Sequence, residues 1–160
     1  MIGETELRMA PPGRLPEADI SVLGGYAVET QVGFLLRRAH QRHAAIFLEA
    51  MAAQDLTPTQ FTALIKVVEH GHVTQNLLGR MVATDPATIQ GVVRRLTARG
   101  LIRRQKDPMD RRTAVLVPTE AGLEAARRAV GVARDITEAT LLPLAGEERR
   151  IFLALLRRLV

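Results

Sequence analysis

Cationic side chains are concentrated in one stretch of the sequence, residues 84–119. This basic stretch holds eight Lys and Arg against three Asp, so its net charge of +5 equals the formal net charge of the whole 160-residue chain. Clustered Lys and Arg displace counterions from phosphates and steer association with polyanions. The basic stretch therefore predicts a surface that binds nucleic acid.

A helix is predicted near the start of the basic stretch, over residues 86–99. Asp85 is a good N-cap residue, Pro86 suits the first helical position, and Gly100 fits the left-handed residue just past a helix end. On a 3.6-residue wheel the apolar residues Ile89, Val93 and Leu96 share one face. The opposite face is small or polar at first and cationic further on, and it carries Ala87, Gln90, Gly91, Arg94 and Ala98.

The outer face of this helix could read DNA in a major groove. The amide of Gln90 can bond N6 and N7 of adenine together, and Gly91, which has no Cβ, would permit close approach. Thr88, Arg94 and Arg95 complete the candidate contacts on this helix. Taken alone, the same pattern is also that of an ordinary amphipathic surface helix.

A basic β-hairpin is predicted directly after the helix. Residues 101–106 and 113–117 favour strands, and the DPMD sequence at 107–110 favours a turn between them. Arg111 and Arg112 would then stand at the tip. A basic hairpin that follows a groove-facing helix is a wing, and it weakens the interpretation as a plain surface helix.

The hairpin resembles the wing of the MarR family of winged helix-turn-helix regulators. The family motif D-x-R, five residues, L-T reads here Asp110-Arg111-Arg112, TAVLV, Pro118-Thr119, with proline in place of leucine. The RGLIRR sequence at 99–104 and the TEAG sequence at 119–122 are also similar to the family, and the resemblance covers about residues 30–160. Pro118 lacks a backbone donor, which puts only the last wing pairing in question. The resemblance implies a homodimeric transcriptional regulator that binds a pseudo-palindromic operator in double-stranded DNA.

Further DNA contacts are expected on the preceding helix and on the wing. A short helix capped by Thr74 would form the helix-turn-helix with the groove-facing helix and cross the phosphate backbone. Its candidate phosphate contacts are Gln75, Asn76 and Arg80. On the wing, Asp110 should orient Arg112 into the minor groove by a charge-assisted pair, while Arg104 and Arg111 face phosphates. The alternative for Asp110 and Arg112 is a solvated surface pair of negligible energy.

Composition bounds the other function classes. The chain has no cysteine, which excludes disulfides, thiolate metal sites and cysteine redox sensing. It shows no apolar run of ~18 residues and no charged leader before an apolar core, so we expect a cytoplasmic protein that does not enter a membrane. We find no nucleophile motif, Gly-rich phosphate loop or paired carboxylates, so we expect neither an enzyme nor a cofactor.

The predicted fold class is mainly α with a small β-hairpin wing, a winged helix-turn-helix domain joined to a helical dimerisation region. Residues 1–29 read as an irregular arm, and 30–54 as one long helix that bridges dimerisation and DNA-binding parts. Residues 55–119 form the winged region, which opens with a capping box at Thr57 and Gln60. Residues 120–160 form two helices broken at Pro143, and the Leu-rich side of the last one indicates an interface. The resemblance implies that the terminal helices of two chains intertwine.

Family members commonly bind an effector between the dimerisation helices and the winged domain. Apolar and cationic residues occur together on the first two helices here, and the candidate ligand-binding residues are Phe34, Arg37, Arg38, His40, His43, Phe47, Phe61 and Ile65. Such a set suits an aromatic carboxylate or its coenzyme A thioester. The sequences at 31–43 and 74–96 are similar to a branch of the family that controls catabolism of aromatic acids, which favours a repressor released by such a ligand.

Three alternatives remain for these residues. The phenylalanines could be core residues and the arginines solvated. The effector could be a lipophilic drug-like compound. His40 and His43 share a helical face at i, i+3 and could bind zinc in a metal-responsive regulator, although zinc would need further ligands that the sequence does not readily supply.

Overall fold

The computed structural model describes residues 23–107, 109–110 and 112–160. These residues form six α-helices and a two-stranded sheet, which confirms the predicted fold class. In chain order the elements are α1 Val32–Ala50, α2 Pro58–His70, α3 Gln75–Met81, α4 Pro86–Ala98, β1 Ile102–Lys106, β2 Ala114–Pro118, α5 Glu120–Leu141 and α6 Gly146–Leu156. Two short 3-10 helices, Val28–Thr30 and Ala52–Gln54, flank α1.

The chain divides into two units, residues 1–36 and 37–160. Of the first unit the structure describes residues 23–36, which hold the 3-10 helix Val28–Thr30 and the start of α1. Most of the predicted N-terminal arm, residues 1–22, therefore lies outside the described residues.

The first long helix is shorter than predicted. It ends at Ala50 rather than at Gln54, so it spans about 28 Å at 1.5 Å per residue. Met51 and Leu56 are both buried in the core. The 3-10 helix between them, closed by Asp55 in the left-handed region at φ 49°, lets both side chains turn inward. Continuous α-helix through residue 54 was therefore a wrong expectation.

Side-chain caps fix the starts of the helices of the winged region. Thr57 and Gln60 form the predicted capping box, with Gln60 N donating to Thr57 Oγ1 at 3.3 Å and Thr57 N donating to Gln60 Oε1 at 3.1 Å. Thr74 caps α3 through Leu77 N at 3.3 Å, and Thr119 caps α5 through Gly122 N at 3.0 Å. These polar caps determine where each helix begins because they satisfy N–H groups that have no partner within the helix.

One apolar core joins the winged region to α1 and α5. Its central members come from α2, α4 and the sheet, and the largest fully buried side chains are Met51, Leu64, Leu78, Ile89, Leu96, Ile102, Leu116, Val67, Val93 and Val115. Gly79 of α3 lies close to α4, where a Cβ would stand 3.3 Å from a methyl carbon of Ile89. The turn between these helices passes through Ala83, which holds a positive φ of 51°.

The sheet is an antiparallel hairpin with the register Ile102↔Pro118 to Lys106↔Ala114. Pro118 pairs within β2, and the next residue continues the contact because Thr119 N donates to Leu101 O at 3.1 Å. Val73 adds a bridge on the other side of β2, exchanging both backbone hydrogen bonds with Leu116 at 3.0 and 2.8 Å. The wing is thereby attached to the segment that leads into α3.

Candidate DNA-binding surface and effector cavity

The start of α4 is fixed by Asp85. Its Oδ1 accepts hydrogen bonds from Ala87 N at 3.0 Å and Thr88 N at 2.9 Å. Hydrogen bonding to Thr88 and to the backbone of Ala87 lowers the pKa of Asp85 below its ordinary value, so the carboxylate stays ionised at the positive end of the helix dipole. The Asp85 cap therefore fixes the backbone of the first turn of α4.

The two faces of α4 are sorted as the sequence predicts. Ile89, Val93 and Leu96 are buried, and so is Val92, which the prediction had not placed in the core. The outer face borders a concave surface of about 640 Å³ between α4 and β1, lined by Ala87, Gln90, Gly91, Arg94, Thr97, Ala98 and Arg104. Gln90, Gly91 and Arg94 thus share one groove with Arg104 of the wing. Thr97 was not predicted, although it lies two turns from Gln90 on the same face.

The wing is joined to α3 by a side-chain contact. Arg104 Nη2 donates to Gln75 Oε1, so two predicted phosphate contacts from different elements meet. Asn76 and Arg80 are exposed on α3, and Thr88 and Arg95 are exposed on α4. Arg111 lies outside the described residues.

The wing tip departs from the prediction. Among the ion pairs of the described residues there is none between the carboxylate of Asp110 and the guanidinium of Arg112. Instead, Asp110 Oδ1 accepts from the backbone N of Arg112 at 3.0 Å, and Asp110 Oδ2 accepts from Thr113 Oγ1 at 2.8 Å. Because these bonds occupy both oxygens and lower the pKa of Asp110, the carboxylate orders the backbone of the turn and leaves the exposed Arg112 side chain to other partners.

A small cavity lies where α1, α2 and α5 meet. Its volume is about 170 Å³, and it is lined by His43, Phe47, Pro58, Phe61, Thr62, Ala133, Ile136 and Thr137. The rings of Phe47 and Phe61 meet edge to face with centroids 5.9 Å apart, and His43 lies 6.3 Å from Phe47. The cavity therefore combines aromatic walls with imidazole and hydroxyl groups.

The tautomer of His43 follows from its hydrogen bonds. Its Nδ1 lies 3.0 Å from Thr140 Oγ1, and the hydroxyl of Thr140 donates to Ile136 O at 2.8 Å. A hydroxyl has one proton, so Thr140 Oγ1 must accept from His43, which places a proton on Nδ1. In the neutral ring Nε2 is then an acceptor, and in the protonated ring it is a donor. His43 can thus bond either a neutral or an anionic ligand group.

The cavity separates the predicted ligand residues. His43, Phe47 and Phe61 line it, whereas Arg37, Arg38 and His40 are exposed on α1 outside its lining. Ile65 instead borders a separate groove of about 500 Å³ between α2 and α5. Phe34 is half-buried near the start of α1. The predicted ligand residues Arg37, Arg38, His40 and Ile65 therefore do not line this cavity with His43, Phe47 and Phe61.

Sequence reasoning also missed groups contributed by α5. Thr137 and Ile136 line the cavity, and Thr140 holds His43. Arg42 donates to the carbonyls of Thr140 and, at 2.9 Å, of Ala139, which fixes the end of α5 against α1. No local signal links these residues, because about 97 positions separate the partners in the chain.

The metal alternative gains no further ligands from the fold. Within the described ranges no group of three or more His, Asp and Glu side chains is arranged to hold a metal ion. In the same residues, no helix is both long and apolar enough to cross a membrane.

The helix-turn-helix of α3 and α4, followed by a basic hairpin, defines a winged helix-turn-helix protein. Residues 56–114 match the MarR family. The chain is 41% identical to the transcriptional repressor NicR of Pseudomonas putida, over 84% of this chain and 85% of that one. The chain belongs to the MarR family of transcriptional regulators.

Two solved structures each cover 84% of this chain. BpsR of Bordetella bronchiseptica, whose DNA binding is regulated by 6-hydroxynicotinic acid, shares 37% identity with a TM-score of 0.79, covering 84% of this chain and 96% of BpsR. PcaV of Streptomyces coelicolor, in complex with its natural ligand, shares 33% identity with a TM-score of 0.75, covering 84% of this chain and 94% of PcaV.

Proposed function

We propose that the protein is a ligand-responsive homodimeric repressor that binds a pseudo-palindromic operator in double-stranded DNA and is released by a small aromatic acid. The observation that carries the DNA-binding part is the groove in which Gln90, Gly91, Arg94 and Arg104 lie together. A residue that can read a base, a residue without a side chain and two cations lie together there, as contact with a major groove and its flanking phosphates requires.

The roles of the remaining DNA-facing residues follow from their elements. Exposed Asn76 and Arg80 on α3 would contact the backbone beside the groove, as the first helix of such motifs does. Arg112 would enter the minor groove from a tip that Asp110 orders through the main chain. The Gln75 side chain would hold Arg104 toward a phosphate rather than bind one independently.

Dimerisation is supported by apolar residues left exposed in the single chain. Leu142, Ile151, Phe152, Leu155 and Leu159 are between 40% and 71% exposed at the end of α5 and along or after α6. Such a row requires a partner surface. We assign dimerisation to residues 120–160 together with residues 30–54, which contain α1, and DNA binding to residues 55–119. Two symmetric wings would then address half-sites about 34–36 Å apart.

The size and lining of the cavity support a small aromatic acid. At about 170 Å³ the cavity is below the range of roughly 300–1,000 Å³ of typical ligand pockets, so a single ring fits its scale better than a coenzyme A thioester. Phe47 and Phe61 could stack on the ring, while His43 and Thr137 could bond its polar groups. BpsR is 37% identical to this chain, which makes the 6-hydroxynicotinic acid that regulates BpsR the first ligand to test.

The test begins with duplexes selected by the protein from random DNA. Fluorescence anisotropy should show binding that weakens steeply with salt, with a slope near −0.9 per neutralised phosphate in a log–log plot. Arg112→Ala should cost about 1–3 kcal/mol of binding, and Gln90→Ala should relax base preference at one position in each half-site. Arg128→Ala, which removes an exposed cation on α5, is the matched control. A flat salt dependence or unchanged selection by the Gln90 variant would contradict the assignment.

The effector and the assembly are tested separately. 6-Hydroxynicotinic acid and other single-ring aromatic acids should raise the thermal midpoint and release DNA, and a tenfold release requires only about 1.4 kcal/mol of differential affinity. Release by lipophilic cations alone would favour the drug-responsive alternative, and release that a chelator reverses would favour the metal alternative. Sedimentation should give twice the chain mass of 17.6 kDa. A soluble monomer lacking residues 145–160 that still bound DNA tightly would contradict the dimer.

A further inference from the structure

A single arginine connects the end of α4 to the segment between α1 and α2. Arg99 is the C-cap residue of α4, and its guanidinium donates to the carbonyl of Asp55 and, at 3.1 Å, to the carbonyl of Gln54. These carbonyls lie at the end of the 3-10 helix Ala52–Gln54. Because the helix stops there, no following helical turn supplies backbone N–H groups to them. The fork of Arg99 therefore ties together two elements that are 44 and 45 positions apart in sequence.

Both ends of this connection are held rigidly. At α4, Gly100 N donates to Thr97 O at 2.9 Å and Leu101 N to Leu96 O at 3.0 Å, so Arg99 cannot shift independently of the last turn. On the other side, the α1–α2 junction (residues 51–57) is anchored by Met51 and Leu56 in the core. A displacement of the junction is therefore passed to α4 rather than absorbed by a loose loop.

The α1–α2 junction connects two residues that line the effector cavity, Phe47 and Pro58. Phe47 precedes it by one turn and accepts a backbone hydrogen bond from Met51 at 2.9 Å, while Pro58 follows it directly. A ring bound in the cavity contacts Phe47 and the start of α2 on one side and α5 on the other, so its binding favours a displacement of Phe47 or of the start of α2 relative to α5. Either movement changes the position of the carbonyls that Arg99 holds.

We infer that Arg99 is the positioning residue that couples occupancy of the cavity to the orientation of the DNA-reading helix α4. The inference rests on the proposed function, since it assumes that α4 reads DNA and that the cavity takes the effector. The two hydrogen bonds from the Arg99 guanidinium to the carbonyls of Gln54 and Asp55 carry the coupling. The carboxylate of Asp55, 3.7 Å from Nη1 and 90% exposed, adds little to it.

Because the chain has no cysteine, an introduced cysteine is the single thiol and can be labelled specifically. A label at the cavity then takes the place of the unidentified natural ligand. In a Thr137→Cys protein, the thiolate displaces bromide from benzyl bromide, forming one S–C bond as the C–Br bond breaks. Thr137 is exposed and lines the cavity, so the benzyl group is delivered to its mouth. DNA affinity is then measured before and after labelling in four backgrounds: Arg99 unchanged, Arg99→Gln, Asp55→Asn and, as a matched surface control, Arg128→Gln.

Labelling should weaken DNA binding at least tenfold with Arg99 present, and equally in the Asp55→Asn and Arg128→Gln backgrounds. In the Arg99→Gln background the change should be less than twofold. Arg99→Lys, which keeps the charge without the fork, should behave like Arg99→Gln, and circular dichroism should show that both are folded. A purely structural role would lower stability and leave the ratio of labelled to unlabelled affinity unchanged.

The other outcomes separate the two proposals. Equal weakening with and without Arg99 overturns the coupling role and leaves the proposed function intact. No weakening in any background overturns the coupling together with effector release. If the proteins do not bind DNA at all, the proposed function fails, and amide hydrogen exchange at residues 96–101 decides the inference. Labelling should speed that exchange only when Arg99 is present, and an identical response in Arg99→Gln overturns it.

Discussion

Gly122→Ala should be the most damaging glycine-to-alanine change among the described residues. Gly122 lies in the first turn of α5 against the chain at Leu101, and a Cβ there would stand 1.9 Å from Leu101 O and 2.9 Å from Leu101 C. Both are backbone atoms, so no side-chain rotation relieves the overlap. Ordinary contact begins at about 3.4 Å, which requires a retreat of roughly 1.5 Å between α5 and the start of β1.

The magnitude follows from the bonds that such a retreat breaks. Thr119 N and Oγ1 bond Leu101 O at 3.1 and 3.2 Å, and Oγ1 also bonds Gly100 O at 2.6 Å. Losing two of these costs about 2 kcal/mol, and residual overpacking adds about 1–3 kcal/mol. Allowing for the better helix propensity of alanine, we expect a loss of about 3 kcal/mol, a large part of the 5–15 kcal/mol typical of domains.

Gly131→Ala in the same helix is the matched control. A Cβ at Gly131 meets nothing within 4 Å, so this change should stabilise the protein by about 0.5–1 kcal/mol. Urea unfolding followed by far-ultraviolet circular dichroism measures both, at one fixed protein concentration because a dimer unfolds in a concentration-dependent way. A loss below about 1 kcal/mol for Gly122→Ala, or no difference between the two variants, would refute the close-packing argument.

Three further predictions concern the helix-turn-helix. Gly91→Ala should raise stability by about 0.5–1 kcal/mol, since a Cβ there meets nothing, yet weaken operator binding; tighter binding in anisotropy assays would show that close approach is not required. Ala83→Gly should stabilise by up to about 1 kcal/mol by relieving a φ of 51°, and thermal melts that show a loss would contradict this strain. Asp85 has a lowered folded pKa, so its contribution is present above the ordinary value of 3.8 and lost as pH falls through the lower folded value. Asp85→Asn, which caps without titrating, should therefore lose less stability than the parent between pH 5 and pH 2, and identical acid melts would argue against this cap.

Local signals predicted the helix starts and the hairpin. The capping residues Thr57, Asp85 and Thr119 act on backbone groups two or three positions away, so their effect can be read from neighbouring letters. The break at Met51 could not be read in this way. It depends on whether Met51 and Leu56 reach a common core, and that core is built by residues from α2, α4 and α5.

The candidate effector cavity could be predicted only in part from the sequence, for the same reason. Phe47 and Phe61 stood out as aromatic residues on adjacent helices, but the opposite wall comes from α5, whose Ile136 and Thr137 look like ordinary helix residues. The adjacent arginines Arg37 and Arg38 were predicted to bind the ligand because of their charge, yet both are exposed on α1. Charge in a sequence shows where a ligand could be attracted, whereas enclosure depends on residues brought together by the fold.

The hydrogen bonds of His43 then determine what the cavity can distinguish. With its Nδ1 proton committed to Thr140, the neutral ring offers only an acceptor at Nε2, so it bonds a hydroxyl, a ring N–H or an un-ionised acid. A single-ring ligand that carries a hydroxyl or a ring N–H should therefore bind more tightly than benzoate, which carries neither, as measured by isothermal titration calorimetry. Thr140→Val removes the hydroxyl that fixes the tautomer and should reduce this preference. Equal affinities of the parent protein for the two ligands would show that Nε2 of His43 is not the acceptor.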